Sequence, residues 1–229
     1  MIRNLKVLVA AAIALAAFGA FSASGAHAAV EFHCSVEPCT GTLKPDEAAN
    51  TKTSHHVFII ENAAKTESAS FTCGQLHGEG TASTKTFAQL EVKNLNYTEC
   101  FVNGSGKVTV DMNGCKYNFT ASGTVTVTGC NEKEGKKLPI ELTIPEIGCT
   151  YFIPEQGPLT GVTYHNIGTS PTRQITVSVN TTVPTVTGVG GSCPVKVSQT
   201  LTGTYTTGNT IVTGETDNAE AKQVDTWWE

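Results

Sequence analysis

The sequence predicts an all-β fold of antiparallel sheets, either a sandwich or a barrel, stapled by disulfides. Three observations carry that reading. From Glu31 to Glu215 the chain is rich in Thr, Val and Gly and poor in Leu, Ala and charge, the composition of twisted strands joined by tight turns. Short runs of alternating polarity recur along it with turn residues between them. All eight cysteines fall beyond an export-type leader.

The leader comes first in the chain. Arg3 and Lys6 form a short positive region, Val7 to Phe21 is an almost unbroken apolar run, and Ala26-His27-Ala28 has the small-x-small form of a signal-peptidase site. Residues 1–28 are therefore expected to be a signal peptide, and the protein to be secreted or held at the cell surface. The apolar run is shorter than the roughly 20 residues that span a bilayer. Phe32 and His33 precede Cys34 where a lipoprotein signal needs small residues, which argues against lipid attachment. No later stretch is long and apolar enough to cross a membrane. Without Arg3 and Lys6 the chain keeps 13 basic and 20 acidic side chains, a net charge of −7, the wrong sign for a nucleic-acid binder.

Cys34, Cys39, Cys73, Cys100, Cys115, Cys130, Cys149 and Cys193 are an even set in an oxidising compartment, so four disulfides are expected. Zinc sites want close CxxC or HxxxH pairs, and the spacings here offer none. Eight cysteines allow 105 pairings. Joining neighbours gives the expectation Cys34–Cys39, Cys73–Cys100, Cys115–Cys130 and Cys149–Cys193.

The clearest strand signal is Lys107 to Phe119. Asn113-Gly114 suits a type I′ turn, and a two-residue loop there sets Met112 opposite Cys115, Val110 opposite Tyr117 and Val108 opposite Phe119, with every apolar side chain on one face. The next turn leaves two registers open. A two-residue loop at Ser122-Gly123 faces Cys115 with Cys130, whereas a three-residue bulged loop offsets them and faces Phe119 with Val127. Further strands are expected at 56–61, 69–73, 88–95, 140–144, 149–153, 161–167, 174–181, 195–205 and 210–213. One helical turn fits 45–50. The charged segment 131–137 is either a solvated hairpin loop or a boundary dividing the β-rich region 29–216 into 29–130 and 138–216. Residues 217–229 read as a polar tail closed by Trp227-Trp228, aromatics able to anchor a partner or dock on the parent domain.

Chemical motifs are sparse. His77-Gly78-Glu79 has the H-x-E order of zinc deaminases without their P-C-x-x-C partner; Cys193-Pro194 reverses that dipeptide. His55 and His56 are adjacent on a strand and point to opposite faces, so both cannot easily grip one metal; a site would need one of them to converge with His33, His77 or His165, whereas lone histidines on secreted strands are usually surface or turn residues. Ser192 lacks a G-x-S-x-G elbow. Glu79, Glu91, Glu99, Glu141 and Glu146 supply a glycosidase only if folding pairs two carboxyls about 5 to 10 Å apart. Leu201 to Tyr205 is similar to a strand of avidin-like barrels, which also need several strand tryptophans; here both tryptophans lie in the tail. The T-x-T rows Thr124, Thr126, Thr128 and Thr202, Thr204, Thr206 resemble ice-binding ladders, though Thr is also an ordinary outward strand residue.

His55-His56-Val57-Phe58, Phe71-Thr72-Cys73, Asn113-Gly114-Cys115, Ile153-Pro154-Glu155-Gln156-Gly157-Pro158-Leu159 and Thr207-Gly208-Asn209-Thr210 together resemble uncharacterised secreted proteins of high-GC Gram-positive bacteria. The resemblance spans most of the mature chain and implies export; it carries over no activity, cofactor or active-site residue. The expected role is that of a secreted or cell-surface non-catalytic β-protein that binds an extracellular protein or carbohydrate or serves a structural purpose. The alternatives are a secreted carbohydrate hydrolase using glutamates, and a β-barrel carrying a small ligand in an apolar pocket of a few hundred Å³.

Overall fold

The computed structural model describes residues 30–45, 56–208, 210–216 and 222–229. The predicted leader, His55 and the helical turn expected beyond Pro45 lie outside them. The described chain is all-β, with one short 3-10 turn at Pro145–Ile147. Its first half contains β1 (Phe32–Cys34), β2 (Cys39–Pro45), β3 (His56–Asn62), β4 (Ser68–Ala82), β5 (Thr86–Phe87), β6 (Gln89–Val102), β7 (Gly106–Lys107), β8 (Thr109–Asp111), β9 (Lys116–Thr120) and β10 (Thr124–Thr128). The second half contains β11 (Glu132–Lys133), β12 (Lys136–Lys137), β13 (Ile140–Ile144), β14 (Cys149–Ile153), β15 (Gln156–Thr160), β16 (Val162–Ile167), β17 (Gln174–Val189), β18 (Leu201–Thr207), β19 (Thr210–Thr216), β20 (Gln223–Val224) and β21 (Thr226–Trp228).

Antiparallel pairing closes these strands on themselves. The long strands β4, β6 and β17 run the length of the body and are shared by two rings. At one end the ladder passes from β17 through β18, β3, β4 and β6 to the β7–β8 segment, then through β13 and β14 back to β17. At the other it passes from β17 through β19, β2, β4, β6, β9 and β10 to the β15–β16 segment, and again to β17. The result is a barrel whose long strands are bridged in front by β18–β3 at one end and β19–β2 at the other, and behind by two panels. Closure leaves the long strands without an open edge.

Both ends are plugged. The first is covered by the segment 190–200 between β17 and β18, whose Val195 is fully buried and whose Val197 packs on the core. This segment was expected to be the start of a strand running to Tyr205. The second is covered by a three-stranded sheet, β21-β1-β5, which seats Phe32 against Phe87 and Tyr164. Residues 222–229 of the expected polar tail thus form part of the body: β21 pairs with β1, and Trp228 Nε1 donates to the Ala121 carbonyl at 3.0 Å.

The expected 107–119 hairpin requires correction. Its turn forms, with Asn113 and Gly114 both at positive φ (46° and 73°) and Cys115 N–H bonded to the Met112 carbonyl at 2.7 Å. The flanking strands then part: β8 joins β13 in one back panel, and β9 joins β6 and β10 in the other. The partners are chosen by long ladders elsewhere, because β9 pairs along five residues with β10 and four with β6. Asn113 Nδ2 donates to the Pro139 carbonyl at 2.8 Å and fixes the split. The next loop is the three-residue form, Ala121 to Gly123, but it sets Phe119 opposite Val125 in place of Val127.

The disulfides are Cys34–Cys39, Cys73–Cys100, Cys115–Cys130 and Cys149–Cys193. Cys73 and Cys100 stand directly opposite on β4 and β6. The charged segment 131–137 is a small hairpin, β11–β12, and strands from both sides of it share one core.

An acid-sensitive contact holds the closing strand. Burial raises the Asp225 carboxyl, but the Arg173 backbone N–H, hydrogen bonds from Ser170 and the Arg173 side chain, and the guanidinium charge outweigh it and keep the group below its ordinary value. A depressed folded pKa supplies stability above the unfolded value and loses it as pH falls through the folded value. Arg173 also lies 4.5 Å over the Trp227 ring, which stacks on His33. Both tryptophans of the chain are on β21, so acidification below the carboxylate range is expected to red-shift their emission before far-UV dichroism reports loss of the barrel. Coincident transitions would show that Asp225 does not anchor β21 separately.

Candidate functional site

The division of the back into two panels leaves space beneath the seam. Val110 of β8 and Tyr117 of β9, which a hairpin would have placed side by side in one ladder, diverge and both face a cavity of about 80 Å³. The front wall follows from strand register. Thr181, Tyr205, Phe58 and Phe71 are successive partners across β17, β18, β3 and β4, so their side chains form one inward row. Leu142 and Ile153 from one panel and Val125 and Leu159 from the other complete the back wall, and the wall as a whole is mostly carbon. Gly203 belongs to this packing: a Cβ there would sit 2.5 Å from the Phe58 ring, so only glycine lets Phe58 lie across β18.

One polar chain crosses the apolar wall. His56 Nδ1 and the Tyr205 hydroxyl are 2.8 Å apart, Tyr205 and Tyr97 hydroxyls 2.9 Å, and Tyr97 and Tyr117 hydroxyls 2.9 Å. Burial, reinforced by the neighbouring phenols, pushes all three tyrosines well above the usual phenol range, so they are neutral hydrogen-bonding groups. His56 is itself buried. If Tyr205 donates to an unprotonated His56 Nδ1, then Tyr97 donates to Tyr205 and Tyr117 to Tyr97, leaving acceptor capacity on Tyr117. The opposite tautomer reverses the chain and leaves Tyr117 a donor. Beside it, Thr181 Oγ1 is buried without a hydrogen-bond partner in the protein.

Of the residues weighed from the sequence for chemistry or crosslinking, His56, Tyr205 and Cys73 line the cavity, and the other described ones fall elsewhere. His77 and His165 are exposed, and His33 is held by Glu229 and Trp227. Ser192 is exposed beside the stapled Cys193. Glu79, Glu91, Glu99 and Glu146 are exposed and Glu141 half-buried. Glu79 accepts from Asn94 at 2.9 Å and Glu91 pairs with Lys116 at 3.1 Å. Among the described residues no group of three His, Cys, Asp or Glu could hold a metal ion. No helix among them is long and apolar enough to cross a membrane. The Thr row on β18 has Glu61, Ile59 and Val57 as neighbours on β3, so it does not extend into a threonine array on that side.

Comparison with protein-family models, with curated proteins and with solved structures finds no match.

Proposed function

We propose that the chain is an exported, non-catalytic β-protein that binds a small, largely apolar molecule inside its barrel. The observation that carries this reading is the carbon-lined cavity at the seam of the back panels, which at about 80 Å³ exceeds the neighbouring core spaces of about 20 Å³. Close packing is the rule in protein interiors, and a void forfeits contacts along its whole wall. The leader, the net negative charge and the four staples support a working place outside the cytoplasm. The size of the space narrows the ligand. A carrier of lipids or drug-sized compounds needs several hundred Å³. About 80 Å³ is less than the roughly 150 Å³ that admits benzene, so the occupant is of solvent size.

Xenon is the simplest probe of such a space. Methyl-resolved NMR of the oxidised protein under xenon is expected to shift the Val110, Val125 and Leu142 methyls saturably. Val125→Phe, which fills the cavity, abolishes the response, and Leu142→Ala, which enlarges it, strengthens it. Absence of a saturable shift at these methyls in the unmodified protein would defeat the proposal.

A further inference from the structure

We infer that the occupant of this cavity carries one oxygen, as a short branched alcohol does, and that Thr181 is the residue that reads it. The inference rests on the cavity being a binding site and goes further by naming the ligand's polar group. Thr181 lies on the inward face of β17 between Val179 and Val183, and all three line the cavity. It is 5% exposed, and its hydroxyl oxygen is enclosed with no protein partner. A buried hydroxyl without a partner is costly, and folded proteins satisfy the great majority of such atoms. An apolar side chain of the same shape, valine, would serve packing alone, as it does at the flanking positions 179 and 183. Retention of a hydroxyl facing a carbon-lined space is explained when the molecule entering that space pairs with it.

The surroundings restrict how the pairing is made. Tyr205 is the direct cross-strand partner of Thr181, but its hydroxyl is committed to His56 and Tyr97. Thr181 is therefore left to the ligand. A threonine hydroxyl donates one hydrogen bond and accepts others, so an alcohol can satisfy it in either sense. Phe58, Phe71, Val125 and Leu142 accept only hydrocarbon, while the Tyr117 hydroxyl at the end of the phenol chain is the one other lining group named above with a hydrogen-bonding position to spare. Branched, compact and singly oxygenated is the shape these surfaces describe.

The test compares 2-propanol with xenon on the oxidised full-length mature protein and on two variants, Thr181→Val and Thr181→Ser, by the same methyl shifts. Thr181→Val is expected to weaken 2-propanol binding about tenfold while leaving xenon within twofold, because only the alcohol loses a hydrogen bond. Thr181→Ser keeps the hydroxyl and is expected to retain most of the alcohol affinity. Equal effects of Thr181→Val on both probes, or loss of alcohol binding in Thr181→Ser, would overturn the assignment of Thr181 while leaving the cavity as a binding site. Failure of xenon to bind the unmodified protein would instead remove the cavity reading itself.

Discussion

Replacing both Cys149 and Cys193 by alanine is expected to lower the stability of the folded chain by about 4 kcal/mol, the largest effect of any single crosslink. The two cysteines are 44 residues apart, the longest loop that any of the four disulfides closes. A crosslink restricts the unfolded chain more as that loop lengthens, and on this account the five-residue Cys34–Cys39 link contributes only about 2 kcal/mol. The crosslink also has a defined mechanical place. Cys149 is fully buried on β14, and Cys193 lies within the 190–200 segment that plugs one end of the barrel. Denaturant unfolding of the two double-alanine variants checks the ranking. A Cys34–Cys39 loss equal to or greater than the Cys149–Cys193 loss would show that chain entropy does not govern these staples.

The second large effect comes from one oxygen. Tyr151 is fully buried, and its hydroxyl both donates to the Val195 carbonyl and accepts from the Val195 N–H, each at 2.9 Å. Val195 has no accessible surface, so water cannot replace the phenol. Tyr151→Phe keeps the ring, including its edge contact with Phe71 at 5.6 Å, and orphans two backbone groups at once. Each buried orphan costs about 1 to 3 kcal/mol, so the loss from two is expected at about 2 to 6 kcal/mol, large for the removal of a single atom. Equilibrium unfolding measures it, and a change under 0.5 kcal/mol, the ordinary range of a surface substitution, would mean that the plug has another anchor. Because Tyr151 and Cys149 hold the same segment, the two perturbations are expected to add less than fully.

Much of this architecture was legible in the sequence, for reasons that particular residues make plain. Alternation in β3, β13 and β14 is regular because each strand has one face in the core, as the burial of Phe58 and Ile60, or of Ile140, Leu142 and Ile144, shows. Neighbouring cysteines pair because neighbouring strands do: Cys73 and Cys100 face each other across one ladder. Local chemistry was equally reliable at Asn113-Gly114, where the turn forms as its residues demand. What local chemistry does not encode is the choice of partner once the chain has turned. The strands on either side of that turn go to different panels, and the decision lies with β6, β10 and β13.

The candidate site was hidden for the same reason. Its front row draws Phe58 and Phe71 from β3–β4 and Thr181 and Tyr205 from β17–β18, two strand pairs far apart in sequence, and each residue looks ordinary in its own run. Tyr205 closes a Thr-rich strand, and Thr181 is one threonine among many. A signal was present at His56, the one histidine at the head of a strongly alternating strand. Its alternation with Phe58 and Ile60 places an imidazole on the core face, where it needs a buried partner. Trp227 and Trp228 were ambiguous because a terminal aromatic pair suits an external partner as well as a parent domain; pairing of β21 with β1 resolves them into a structural closure.

The claim on which the functional account stands is that the space under the panel seam takes up a ligand. A crystal of the oxidised protein pressurised with xenon tests it most directly. The account predicts xenon density enclosed by Phe58, Val110, Val125 and Leu142, within reach of Thr181. Xenon found only at surface positions, with the interior side chains closed over the seam, would contradict it.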